Sequence, residues 1–319
     1  MNTNIDAAED VRQLFYGAIP ERRSEVDSLF ERIAYRRAGD RTGFHLESLS
    51  FDGAGLITLT DRTMQQIWLI SYLTWRALHE QSGFLIVFQA QGKPYDLAET
   101  GIDLATDNAA STVSRLTSAL QSFRNAESGQ IEWPIDVPIL TPDLRHLRDD
   151  EDHLAYDLGL FATAFVLLHE VHHTLLRVDG VPHGGMDEEL ECDRYAIKML
   201  IEECDRHAEF KKYDVVLLRR KRAMGAMLGL IVVMESTDFG LSQESATHPP
   251  IGDRIKLIVE TADRLELDAN DDFWIYATCS LLSKLRREVR LPQTIPFTTF
   301  RSLFTIALDH ISAEAFSMR

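Results

Sequence analysis

The chain has 319 residues, 45% hydrophobic and 26% charged, a globular balance that excludes an overall disordered chain and allows one large domain or two modest ones. Its 50 acidic against 33 basic side chains give a formal charge of −17, which repels phosphate backbones and excludes nucleic acid as a partner outside a local basic patch. Three cysteines, Cys192, Cys204 and Cys279, form no C-x-x-C pair, so they give no disulfide framework and fit a reducing cytoplasm.

The polar, acidic start of the chain shows no basic segment followed by an apolar one, so no secretory signal is expected. Residues 1 to about 38 predict helix, with Leu14, Phe15, Ile19, Val26, Leu29, Phe30 and Ile33 near helical spacing. After the breaker cluster Gly39 to Gly43, the alternation on both sides of Asp52-Gly53-Ala54-Gly55 predicts a β-hairpin. Residues 62 to about 80 predict a helix carrying Trp68, Tyr72 and Trp75, and the apolar run 84–89 predicts a short strand. A loop over 91–107 and an amphipathic helix over 109–124 follow. Three prolines within residues 129–143 predict an extended connector and a subdomain boundary.

Beyond the connector the chain is expected to be strongly helical to about 265, with two closing helical stretches near 271–288 and 298–316. The apolar run 223–234 falls short of the ~20 residues of a membrane span, so it predicts a buried core helix and no integral membrane span. The basic run Arg219 to Arg222 before it predicts a solvated helix face. The organisation expected is therefore an accessory, substrate-recognition region with a small sheet over 1–128, a helical core over 129–265, and C-terminal helices over 266–319. The fold class is α+β, predominantly α-helical.

The segment that carries chemistry is His169-Glu170-Val171-His172-His173, an H-E-x-x-H pattern at the end of an uncharged run from Phe161 to Leu168. Positions four apart share a helix face, so His169 and His173 can reach one metal ion. Glu170, one residue round, can act as general base towards a water that the metal acidifies. The next helical segment carries Glu189-x-x-x-Asp193, one turn apart on one face. Glu189 completes a His-His-Glu set for one zinc ion, and Asp193 can hold a ligand imidazole through its other nitrogen. The Gly- and Pro-containing stretch 177–186 suits a turn that brings the two helices together.

The tetrapeptide Glu-Cys-Asp-Arg occurs twice, at 191–194 and 203–206, but Ile201 stands four residues before Asp205 where Glu189 stands before Asp193. Only the first copy can supply ligand and support. Glu188 and Glu191 lack an aspartate four residues on and rank below Glu189, and His172 and His183 are surplus to a two-histidine site. Further on, His248 precedes Pro249-Pro250, and Arg254 follows six residues later. Either could supply the donor that a developing oxyanion needs, or both could be structural.

H-E-x-x-H followed by E-x-x-x-D resembles the signature of gluzincin metallopeptidases. "THPPIGDR" at 247–254 resembles a motif of the CAAX-type and heat-shock zinc peptidases. Taken with "WPIDVPILTPD", "LLHEVHH" and "ELECDRYA", it makes residues 129–260 resemble the Lit-type phage-exclusion zinc peptidases. The resemblance implies a zincin-like core and a cytoplasmic endopeptidase that cleaves a host protein, elongation factor Tu in the type case, in anti-phage defence or stress. Its partners would be a protein or peptide substrate and an activating partner. His169, His173 and Glu189 would be the ligands, Glu170 the base, Asp193 the support, with His248 and Arg254 near the substrate. The His172-His173 doublet departs from the pattern, and the N-terminal third has no motif to match. The competing reading is a non-catalytic zinc-containing sensor or interaction protein with a degenerate peptidase fold, in which Glu170 would be dispensable.

Overall fold

The computed structural model describes residues 7–38, 46–51, 54–96, 133–134, 137, 150–181, 184–236, 249–267, 273–278 and 294–317. Helix α1 (Ala7–Ala18) buries Val11, Phe15 and Ala18, one stripe at helical spacing. A short turn at Pro20–Arg22 leads into α2 (Arg23–Arg32). The helix predicted to continue to 38 stops there, and the chain enters β1 (Ile33–Arg37). Strand pairing decides this change: β1 lies parallel to β3 with Ile33 opposite Gly55 and Arg37 opposite Leu59, a partner far away in sequence.

The predicted hairpin is present as β2 (Leu46–Phe51) and β3 (Ala54–Leu59), antiparallel with Leu46 opposite Leu59 and Phe51 opposite Ala54. The sheet order is β1-β3-β2. Thr60 then caps α3 (Asp61–Ala90), its hydroxyl accepting from the Thr63 amide at 3.0 Å. Helix α3 runs through residues 84–89, where a strand was predicted; a short apolar run in a buried helix has no period that distinguishes it from a buried strand. A two-residue strand β4 (Tyr95–Asp96) pairs with β5 (Thr294–Ile295) near the far end of the chain. The predicted helix over 109–124 and nearly all of the 129–143 connector lie outside the described residues.

The core is organised around α4 (Asp150–Val178), which carries the H-E-x-x-H residues and packs against α3, the sheet, α5 (Met186–Ile201) and α7 (Val215–Ser236). A short α6 (Asp205–Lys211) joins α5 to α7, and α8 (Ile251–Arg264) packs on α5 and α7. The C-terminal α9 (Phe300–Ser317) matches the second closing stretch, and residues 273–278 of the first are helical. The described fold is thus predominantly α-helical with a small sheet. Among the described residues one helix, over 152–178, is long and apolar enough to cross a membrane, and it is this mostly buried core helix.

Close approach to α4 depends on missing side chains. A Cβ at Gly225 of α7 would fall 2.3 Å from Phe161, and one at Gly55 of β3 would fall 2.3 Å from Thr174, the residue after His173. The basic run at the start of α7 differs from its predicted solvated face. Arg222 is fully buried against Glu21, His207 and the Leu200 carbonyl, and Arg220 donates to the Leu267 carbonyl at 2.7 Å. Arg219 pairs with Asp205 and Lys221 with Asp157. Burial of charge here depends on tertiary partners that no local pattern reveals.

Candidate metal centre

The uncharged stretch of α4 from Phe161 to Leu168 is buried throughout, and it delivers His169 and His173 inside the molecule on one helical face. The chain turns at Asp179-Gly180 and re-enters helix after Gly185, whose φ of +81° suits glycine. Helix α5 then lies against α4 and places Glu189 and Asp193, one turn apart, towards the two histidines. Among the described residues, one group of His, Cys, Asp and Glu side chains converges closely enough to share a metal ion: His169, His173 and Glu189.

The two Nε2 atoms lie 3.1 Å apart, and each is 3.3 Å from an oxygen of Glu189. The outer nitrogens are held separately. His169 Nδ1 meets Asp193 Oδ1 at 2.9 Å, and His173 Nδ1 meets Glu188 Oε1 at 2.6 Å. A carboxylate accepts, so each Nδ1 carries the hydrogen and a neutral ring has its lone pair on Nε2. Two lone pairs and a carboxylate then face one another with no donor between them. A proton satisfies this arrangement in part, and a cation satisfies it fully.

The donor set can hold a metal ion. Ligand atoms ~2.05 Å from a tetrahedral centre stand roughly 3.3 Å apart; the two imidazole nitrogens are 3.1 Å apart, and each lies 3.3 Å from a different oxygen of Glu189. Charge points the same way: the carboxylates of Glu188, Glu189 and Asp193 outnumber the one guanidinium of Arg254 beside them, an excess of negative charge that favours a cation.

The protonation behaviour follows from these contacts. Burial works against a charged His169, but the carboxylates of Asp193 and Glu189 outweigh it and push its pKa up to about 9. Burial alone would raise Glu189, yet contact with the His169 and His173 imidazoles holds it well below the usual carboxylate range. Burial would likewise raise Asp193, and the Arg254 guanidinium holds it below its ordinary value. Burial, followed by the charge of Glu189, pushes the Cys192 thiol up, so it remains a neutral thiol.

Glu170 is partly exposed, one residue round α4 from His169. His172 turns away and stacks on Tyr195, with ring centroids 4.3 Å apart and planes 12° from parallel. Arg254, in the first turn of α8, donates through Nε to Asp193 Oδ2 at 2.6 Å and through Nη2 to Oδ1 at 2.7 Å. His248 and His183 lie outside the described residues. Sequence reasoning ranked Glu188 below Glu189 and missed its bond to His173. Its neighbour four residues on says nothing about that contact, and the one available signal was its place in an acidic first turn beside a ligand.

A family model described as Peptidase U49 matches residues 57–277, more than half of the chain, and the match spans α3 through α8. No curated protein and no solved structure matches the chain.

Proposed function

We propose that this chain, which belongs to the peptidase U49 family, is a zinc-dependent endopeptidase with a zincin-like, gluzincin-type centre. Its family makes it a peptidase, and proteins or peptides are its substrates. The observation that carries the zinc assignment is the convergence of His169 Nε2, His173 Nε2 and Glu189 at 3.1 and 3.3 Å, with both outer nitrogens taken by carboxylates. A structural zinc usually has four protein ligands and is rich in cysteine. The three-ligand set leaves a position for chemistry.

In this reading His169, His173 and Glu189 would hold the zinc, and Asp193 and Glu188 hold the imidazoles in the ligating tautomer. Zinc would supply Lewis-acid chemistry, acidifying a water molecule towards a pKa of ~7 and polarising a carbonyl. The Glu170 carboxylate accepts the proton of the attacking water and passes it to the leaving amine as the peptide bond breaks. The resemblance supports His248 or Arg254 as the donor to the developing oxyanion. The resemblance to the Lit-type peptidases supports a host cytoplasmic target, elongation factor Tu the first to try, an activating partner, and a role in anti-phage defence.

Elemental analysis of the purified chain tests the centre. About one zinc per chain in the wild type, absent from Glu189→Ala, is expected. No zinc after reconstitution would overturn the assignment. Glu170→Gln should keep zinc while losing ~10²–10⁴-fold in peptide cleavage; undiminished cleavage would remove Glu170 from the mechanism.

A further inference from the structure

Behind His169 the structure holds a second layer of charge. Asp193 is buried with its side chain 1% exposed, and Arg254, 4% exposed, covers both of its oxygens through Nε and Nη2. The third nitrogen, Nη1, lies 4.0 Å from Glu189 Oε2. The guanidinium is therefore turned into the ligand cluster and enclosed by it. We propose that Arg254 is a positioning residue for the zinc centre: its two-point hold fixes the Asp193 carboxylate, whose Oδ1 in turn holds His169 Nδ1 and aims the imidazole at the metal position. This rests on the zinc reading above.

The physical reason is geometric. A carboxylate held at one oxygen can turn about its Cβ–Cγ bond, and a planar guanidinium fork bonded to both oxygens removes that freedom. A ligand imidazole is oriented by the partner of its other nitrogen, so fixing Asp193 fixes the direction of His169 Nε2.

The placement of Arg254 supports the same role. Pro250 caps α8, and its carbonyl accepts from the Asp253 amide at 3.0 Å and the Arg254 amide at 3.4 Å. The side chain thus starts from a rigid first turn, on a helix that packs against the α5 carrying Asp193. The first turn of α8 thereby acts on His169 without touching it. His173 differs: its ring is held by Glu188, whose side chain is 11% exposed, and among the described residues no cation is bonded behind that carboxylate.

The test is zinc release from the zinc-loaded full-length chain into a chromophoric chelator, measured for wild type, Arg254→Met, Arg254→Lys, Asp193→Asn and the Asp193→Asn/Arg254→Met double variant. Arg254→Met and Asp193→Asn should each speed release by roughly 10–100-fold. The double variant should release no faster than Asp193→Asn, because Arg254 acts through Asp193. Arg254→Lys should recover part of the loss, supplying the charge without the fork. If Arg254→Met does not fold, the same cycle runs with Arg254→Lys and Asp193→Asn/Arg254→Lys. Release at the wild-type rate in the Arg254 variants, with kcat alone reduced, would overturn the proposal and return Arg254 to the oxyanion. Single-variant effects that multiply in the double would overturn it as well. A wild type that takes up no zinc sinks the zinc reading itself, an outcome distinct from both.

Discussion

The two ends of α5 are held by opposite chemistry. At its C-terminal end Arg22 donates to the Lys198 carbonyl at 3.2 Å and Arg222 to the Leu200 carbonyl at 2.9 Å, with Glu21 bonded to Arg222 behind them. At its N-terminal end Asp187, Glu188 and Glu189 fill the first turn, and Gly185 offers no side-chain cap. Both ends complement the helix dipole, which favours anions at the start and cations at the finish. That term is worth only about 0.3–1 kcal/mol per charge, so it does not explain why the acidic end turns two carboxylates onto two histidines. The contrast separates an end built for anchoring from an end built for ligation.

The largest effect that can break this contrast is on stability. Arg222→Met leaves Glu21 buried without its cation, and loss of one partner of a buried pair costs about 3–5 kcal/mol. Chemical denaturation of the metal-free chain should show that loss, and the Glu21→Gln/Arg222→Met double variant should recover part of it. Zinc release from the folded variant should match wild type. If it accelerates as in Asp193→Asn, the two ends of α5 are one coupled unit and the division fails.

The next comparison lies within the ligating end. Asp193 is buried and backed by Arg254, whereas Glu188 is partly exposed. Asp193→Asn should weaken zinc binding towards the upper end of the 10–100-fold range typical for partners of ligand histidines, and Glu188→Gln by about tenfold. Equal losses, measured by competition with a chelator of known affinity, would show that burial behind the carboxylate does not matter here.

The ligand helix pair was legible in the sequence because its information is local. His169 and His173 lie four apart, Glu189 and Asp193 lie four apart, and helical periodicity alone puts each pair on one face. What escaped depends on how elements cross. The bond from Glu188 to His173 requires the actual approach of α5 to α4, and the burial of Arg222 requires Glu21 from 201 residues away in sequence. The small sheet was half legible for the same reason. The β2–β3 hairpin is a local pairing announced by alternation, while β1 is a strand because β3 is there to receive it.

The smallest effect to seek is the pH dependence of the ligating end, and its sign differs between the metal-free and loaded chains. In the metal-free chain His169 has its pKa raised from its ordinary 6.5 to about 9. Its proton therefore contributes stability that is fully present below pH 6.5 and lost as pH rises through about 9. Zinc needs that same nitrogen bare, so binding must expel the proton. Zinc affinity should rise with pH by about tenfold per unit across this window and level off above it. Asp193→Asn removes a carboxylate that raises the pKa of His169, so both transitions should move to lower pH. Glu188→Gln, which does not touch His169 in the structure, should move them less. Paired pH titrations of denaturation and zinc binding check this, and a zinc affinity flat from pH 6.5 to 9 would mean that His169 carries no proton for the metal to displace.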